Sequence, residues 1–332
     1  MSKNKPPMKT SNALLPSGAI VRGYTITRKL SAGGFGVVYL AQRPDGQPVA
    51  IKEFLPSVIS CRTPGDKGLV QVKNASLKKR FEEGLESFFR EADILSQIHN
   101  DRIIQIWDVF EANGTAYFVM PVEKGSTLQT LIRSQAEPLS DAQLVHLFSE
   151  AALGIQTLHN AGLLHLDVKP SNLWVRPDGA VVVLDLGASR WEDEEGRMAH
   201  LARTPGFAAP EQHGTKRARA LTTKTDIYGL GASLYTAIER RPPPPAPSRK
   251  PEDAGLLKRR MGQHSTALLE VVDRAISLLP GDRFASAAEF SHHLLQIARP
   301  PTSRRPPRDQ LQDPRHLWKS LDPERLIPPI GS

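Results

Sequence analysis

His165-Leu166-Asp167-Val168-Lys169-Pro170-Ser171-Asn172 lies between two apolar runs and brings an acid, a cation and an amide into one short loop. A carboxylate such as Asp167 can orient and deprotonate a hydroxyl. Lys169 offers a positive charge nearby, and the amide oxygen of Asn172 is a hard ligand for a divalent cation. Transfer of a phosphoryl group to a hydroxyl requires those three chemistries together. The loop decides the fold only if the rest of the chain supplies its partners in order.

The 332 residues allow a sizeable core and suit two lobes better than one small module. Apolar content of 39% and charged content of 23% match ordinary globular chains, so the middle of the chain is expected to fold. With Cys61 as the one cysteine there is no internal disulfide, and no apolar run approaches the roughly 18 residues of a membrane span. Residues 1–18 are polar, carry no apolar segment of signal-peptide type and read as a flexible leader, so the cytoplasm is the expected location. The net charge of +8 does not point to nucleic acid, because the basic residues are scattered without interleaved aromatics. Residues 299–332 are rich in Pro and Arg and read as a disordered tail, with a small apolar cluster at Leu317, Trp318, Leu321, Leu326 and Ile327.

From Tyr24 the chain alternates in strand fashion to Leu30, then over Val37–Ala41 and Val49–Phe54, which predicts two hairpins in series. Between the first two strands stands Ser31-Ala32-Gly33-Gly34-Phe35-Gly36. A dinucleotide-binding glycine fingerprint would be followed by a helix, whereas strand-like sequence follows here. Residues 55–79 contain Pro56, Pro64 and Gly65 and read as an inserted loop with short strands. A helix is expected over about 82–98, with Phe88, Glu91 and Leu95 on one face. Strands at 103–110 and 115–120, joined through an Asn113-Gly114 turn, would complete a five-stranded sheet. Ser140 or Asp141 caps the next helix, whose apolar face runs from Leu144 to Leu158 and whose His146 and His159 read as structural. Leu173–Val175 and Val181–Leu184 predict another hairpin, and the prolines from Pro242 to Pro247 predict a loop.

Taken in order, several motifs resemble those of eukaryotic-type (Hanks-type) protein kinases. They are Ser31–Gly36, Val49-Ala50-Ile51-Lys52, Phe88–Ala92, His165–Asn172, Asp185-Leu186-Gly187, Thr204–Glu211 with its Ala209-Pro210-Glu211 end, Asp226–Gly231 and Asp282-Arg283-Phe284. The resemblance covers about residues 20–298, and its style is similar to soluble bacterial serine/threonine kinases. The chain departs from the family at Ser31, in the first glycine position, at Leu166, where Arg is usual, and at Leu186, where Phe is usual. An α+β, two-lobed fold is implied, with a kinase domain at 19–298. Its small β-rich N-lobe with one main helix would span about 19–120, a hinge 121–125, and a larger, mostly helical C-lobe about 126–298.

The resemblance further implies ATP and Mg²⁺, with Mn²⁺ as a substitute, in the cleft. Lys52 would reach the α- and β-phosphates, held by Glu91, with Glu83 and Glu86 as alternatives. Asp167 would be the base, Lys169 would sit beside the transferred phosphate, and Asn172 and Asp185 would hold the metal. Nucleotide contacts fall on Leu30, Ser31, Ala32, Gly33, Gly34, Phe35, Gly36, Val38, Ala50 and Lys52. Met120 would be the gatekeeper, Pro121 and Glu123 would offer adenine a carbonyl and an N–H, and Trp174 would floor the adenine pocket, serve as a core residue, or both. Arg283 would pair with Glu211 as a structural bond.

Lys169 two residues after Asp167, together with Thr204, is similar to the Ser/Thr branch. Serine and threonine hydroxyls of protein substrates are therefore the expected acceptors, and an opposing metal-dependent phosphatase is an expected partner. A pseudokinase scaffold is the alternative, disfavoured by the complete set of Lys52, Glu91, Asp167, Asn172 and Asp185. A small-molecule kinase is disfavoured by the docking segment that starts at Thr204. Between Asp185 and Glu211 the only hydroxyl side chains are Ser189 and Thr204, and Leu166 cannot bind phosphate. Activity without phosphorylation of that segment is expected, with Glu192-Asp193-Glu194-Glu195 as a solvated loop or a phosphate mimic.

Overall fold

The computed structural model describes residues 14–34, 36–62, 68–191, 204–214, 220–250 and 262–297, and the chain divides into two compact units. The first 13 residues, Phe35, the acidic run Glu192–Glu195 and the tail from residue 298 lie outside the described residues. Among the described residues no helix is long and apolar enough to cross a membrane.

One unit takes the chain up to Gln97 together with Gln105–Val122. It begins with β1 (Ile20–Val21), β2 (Tyr24–Ala32), β3 (Gly36–Gln42) and β4 (Pro48–Phe54). A separate hairpin of β5 (Ser60–Arg62) and β6 (Val70–Val72) and the helix α1 (Lys78–Gln97) follow, then β7 (Asp108–Ala112) and β8 (Thr115–Pro121). The main sheet has the order β1-β2-β3-β4-β8-β7, one strand more than the five expected, because Ile20–Val21 folds back on Tyr24 and Thr25. Asn113 and Gly114 turn β7 into β8 with φ of 53° and 69°, the left-handed pair that a two-residue hairpin needs.

The strand expected at 103–110 begins only at Asp108. Ile103 and Ile104 belong to the other unit, where Ile104 N–H donates to Val183 O at 3.0 Å and Val183 N–H to Arg102 O at 2.7 Å. Backbone groups engaged there cannot join the sheet ladder. The sheet itself curls until Tyr24 of β2 stacks on Phe110 of β7, with ring centroids 5.8 Å apart. Helix α1 buries Phe81, Phe88, Ala92, Ile94 and Leu95, and Phe54 of β4 packs on Phe81 and Phe88 at 5.3 and 5.7 Å. Each such ring contributes about 1.5–3 kcal/mol by leaving water.

The other unit holds Ile98–Ile104 and the chain from Glu123. Its helices are α2 (Leu128–Ser134), α3 (Asp141–Asn160), α4 (Thr223–Glu239), α5 (Thr266–Ala275) and α6 (Ala287–Ile297). Short strands β9 (Ser126–Thr127), β10 (Leu163–Leu164), β11 (Leu173–Val175), β12 (Val181–Val183) and β13 (Arg190–Trp191) accompany them. At the start of α3 the Ser140 hydroxyl accepts from Gln143 N–H at 3.3 Å, while the Gln143 side chain accepts from Ser140 N–H at 2.8 Å. This reciprocal cap satisfies two helix-end donors and points the chain into a run of buried residues. Leu144, Leu147, Phe148, Ala151, Ile155 and Leu158 form the core face of α3 against α6 and β12. The proline run is a loop apart from one 3₁₀ turn at Ala246–Ser248.

Candidate active site

Among the described residues the polar stretch that follows β10 has no strand partner, so other groups must hold its backbone. Asp226, fully buried at the start of α4, does so. Its Oδ2 accepts from His165 N–H at 2.8 Å and its Oδ1 from Leu166 N–H at 2.7 Å. His159 Nε2 also donates to Oδ2, at 2.8 Å. Burial alone would raise the Asp226 carboxyl pKa, but these bonds and the two histidines hold it below the usual range. Gln212 Nε2 donates to Leu166 O at 2.7 Å, so both sides of Leu166 are anchored. That anchoring lets Leu166 stand at φ 63°, a left-handed conformation costing a non-glycine residue roughly 1–2 kcal/mol. Its side chain is buried with Leu164 and packs against Ala188 and Leu221. His165 is also fixed, with Nδ1 accepting from Asp167 N–H at 3.2 Å and Nε2 donating to Leu184 O at 3.1 Å.

On this frame the expected acid, cation and amide converge. Asp167 Oδ1 accepts from the Thr204 hydroxyl at 2.8 Å, and its Oδ2 lies 2.9 Å from Lys169 Nζ. Lys169 Nζ also donates to Thr204 Oγ1 at 3.3 Å, closing a three-membered cluster. Asn172 Nδ2 donates to Asp167 O at 3.0 Å and to Oδ2 at 3.3 Å, and its amide oxygen, which accepts from the Ser171 hydroxyl at 3.4 Å, keeps a second lone pair for another ligand. Leu184 N–H donates to Asn172 O at 2.8 Å, tying the amide's segment to the one that carries Asp185. Asp185 itself stands at φ 56°, and its Oδ1 accepts from Gly187 N–H at 3.3 Å. An amide oxygen and a carboxylate on tied segments are hard donors that fit Mg²⁺.

In the first unit, Lys52 Nζ lies 3.0 Å from Glu91 Oε1 and 3.2 Å from Oε2. The pairing falls on Glu91 and not on Glu83 or Glu86, because Glu91 shares the buried face of α1 with Phe88 and Leu95. The ammonium also sits 5.0 Å from the centre of the Phe118 ring. In the glycine stretch Gly33 N–H donates to Gly36 O at 2.9 Å. Space around Gly34 is open, whereas a Cβ on Gly36 would come within 2.3 Å of Glu53 O, so Gly36 has a packing reason of its own. The Ser31 hydroxyl is buried without a partner among the described residues. Cross-strand register puts Ser31, Val38, Lys52 and Phe118 in one row on one face, with Ala50 and Met120 in the next row along β4 and β8. Pro121 ends β8 opposite Val49. Leu30 is partly buried in β2, and Ala32 is exposed at its end.

Two contacts at the other unit's start carry no sequence signature. The Glu123 carboxylate takes two bonds from Arg176, at 2.8 and 2.7 Å, and this raises the guanidinium pKa. Trp174 is fully buried and donates from its indole N–H to Lys124 O at 3.0 Å, which makes it a core residue. Farther off, Arg283 and Glu211 form the expected structural pair, with bonds of 2.7 and 3.0 Å and both side chains fully buried.

Comparison with known proteins bears on the family and the fold. The sequence model of the protein kinase domain matches residues 24–293. Serine/threonine-protein kinase Pkn1 of Myxococcus xanthus is 29% identical over 83% of this chain and 38% of its own length. For serine/threonine-protein kinase PknJ of Mycobacterium tuberculosis the values are 27%, 84% and 46%. This chain therefore spans less than half the length of either relative. A solved structure titled PpkA-294 apo form superposes with a TM-score of 0.76 at 33% identity, covering 86% of this chain and all of that one. With its β-rich and helical units, its ordered motifs and a family match across most of its length, the chain belongs to the protein kinase family.

Proposed function

We propose that this chain transfers the γ-phosphoryl group of ATP to serine or threonine hydroxyls of protein substrates. The observation that carries the reading is the Asp167 carboxylate, gripped on one oxygen by Thr204 and on the other by Lys169 and Asn172. Held in this way, Asp167 accepts the proton of the incoming hydroxyl, and Lys169 stabilises charge on the phosphoryl group in flight. In the other unit Lys52, fixed by Glu91, binds the α- and β-phosphates, and the row from Ser31 to Phe118 lies on the nucleotide face. Glu123 and Pro121 serve adenine through their backbones. Asn172 and Asp185 hold Mg²⁺, or Mn²⁺ in its place. The metal, when bound, neutralises phosphate charge.

The proposal includes activity without activation-segment phosphorylation. Leu166 presents an apolar side chain where a phosphate-binding Arg would stand. Both hydroxyls of the segment are engaged, Ser189 with Leu186 O and Thr204 with Asp167. An opposing metal-dependent phosphatase and a kinase domain limited to 19–298 belong to the same reading.

Purified protein incubated with labelled ATP and a generic protein substrate tests it. Label recovered on phosphoserine or phosphothreonine is the expected result, from the first turnover and after phosphatase pretreatment. No transfer at all would leave a scaffold, and transfer after a lag abolished by prior phosphorylation would remove the constitutive part.

A further inference from the structure

The contacts of the β5-β6 hairpin converge on one residue. Lys52 and Glu53 are neighbours on β4 and so project to opposite faces of the sheet. Lys52 meets Glu91. On the opposite face Glu53 is fully buried and accepts from the Arg62 guanidinium of β5, from the Tyr39 hydroxyl of β3 at 3.1 Å and from the Tyr117 hydroxyl of β8. The cluster also gathers Leu15, whose N–H donates to Tyr39 Oη at 3.2 Å, and Asn113, whose amide donates to Tyr117 Oη at 3.0 Å. Arg62 is itself anchored, with Nε donating to Gly68 O at 2.7 Å.

A strand in mid-sheet already has its backbone ladder, and a buried ion pair costs desolvation that apolar packing would avoid. What such a pair adds is strict geometry. The hairpin also lies on the covalent path from β4 to α1, the two elements that carry Lys52 and Glu91. At its far side Val70 N–H donates to Asn113 O at 2.8 Å, so the hairpin is fastened to the β7-β8 turn as well.

We propose that the inserted hairpin is a built-in positioning brace for Lys52: Arg62 fixes Glu53, and Glu53 fixes the part of β4 that presents Lys52 to Glu91. Arg62 and Glu53 are thus positioning residues for phosphoryl transfer, and no partner protein is needed to set the pair. The inference rests on the reading of Lys52 given under Proposed function.

Two readouts test the brace. The first is acylation of lysines in ATP-free protein by a succinimidyl ester, quantified peptide by peptide with mass spectrometry, and it needs no activity. The second is kcat and KM for ATP. Arg62→Met is expected to raise Lys52 labelling about tenfold, leave exposed Lys78 unchanged, and raise KM for ATP with at least a tenfold fall in kcat/KM. Arg62→Lys should recover part of both, and Val58→Ser, at an exposed site leading into the hairpin, should change neither. Should Arg62→Met fail to fold, Tyr39→Phe and Tyr117→Phe remove a donor without stranding a charge, and each should shift both readouts by about two- to fivefold. A folded Arg62→Met, or either phenylalanine variant, with wild-type labelling and kcat/KM overturns the brace. Wild-type protein that transfers no phosphate while Arg62→Met still raises Lys52 labelling would overturn the functional reading alone.

Discussion

Two buried carboxylates, Glu53 in one unit and Asp226 in the other, stand close to residues assigned to chemistry and are satisfied in different ways. Glu53 is met by side chains, a guanidinium and two phenols drawn from β5, β3 and β8. Asp226 is met by two backbone N–H groups and one imidazole. The difference follows from what each must hold. β4 has its backbone hydrogen bonds in the sheet, so Glu53 can act only on side chains. The loop at His165 and Leu166 has no ladder, so its N–H groups need an acceptor from elsewhere, and Asp226 supplies it. A buried acid therefore sets either the aim of a strand or the path of a loop.

The largest effect is expected where the loop delivers its chemistry. Asp167→Asn should lower phosphoryl transfer by about 10²- to 10⁴-fold while ATP binding, followed by calorimetry, stays near normal. Near-normal turnover would break the assignment of the loop. Next come the two buried acids. Glu53→Gln strands the Arg62 cation and should cost about 3–5 kcal/mol in urea unfolding. Asp226→Asn keeps one acceptor oxygen and should cost roughly 1.5–3 kcal/mol while reducing turnover by more than that stability loss explains. If Asp226→Asn proved the more destabilising and the more active of the two, the contrast would be wrong.

Acid and base sharpen the comparison. The Asp226 carboxyl is depressed in the folded chain, so it favours folding above the ordinary value near 4, and that contribution fades as pH falls below it. Burial and the nearby Glu53 push the hydroxyls of Tyr39 and Tyr117 well above the usual tyrosine range. The folded chain then keeps protons that the unfolded chain releases near 10, and stability falls as pH rises past that point. Denaturant melts across pH should show Asp226→Asn flattening the acid limb and Tyr117→Phe the alkaline limb. The smallest effect belongs to a site in neither cluster: Ser140→Ala should cost about 1 kcal/mol through the α3 cap, with turnover unchanged.

Much of the fold was legible because alternation, turn chemistry and caps are local signals. The Asn113-Gly114 turn and the Ser140 cap needed only neighbouring residues to be read. Glu91 was legible because helical spacing places it on the Phe88 and Leu95 face. Glu53 was not, since a charged residue in an alternating strand reads as exposed and its partner Arg62 sits in a stretch without periodicity. Asp226 read only as the first residue of a family-like motif, because the backbone N–H groups it serves lie 60 and 61 residues back and leave no mark in sequence. Thr204 was read as part of a docking segment, and its bond to Asp167 depends on a return of the chain that spacing alone does not reveal. The strand from 103 was overestimated because Ile103 and Ile104 are as apolar as strand residues but spend their backbone bonds elsewhere.

The apolar seat of Leu166 bears on how readily such a chain could change its mode of control over generations. A lone Leu166→Arg exchange would press a guanidinium among Leu164, Ala188 and Leu221. It would also find no phosphate to read, because no hydroxyl residue lies between Ser189 and Thr204. A new acceptor hydroxyl without the arginine would be equally silent. Both replacements are needed for a switch, and neither confers one alone. On the proposed reading of a chain active without that phosphorylation, the steps toward a switched one gain nothing until the last.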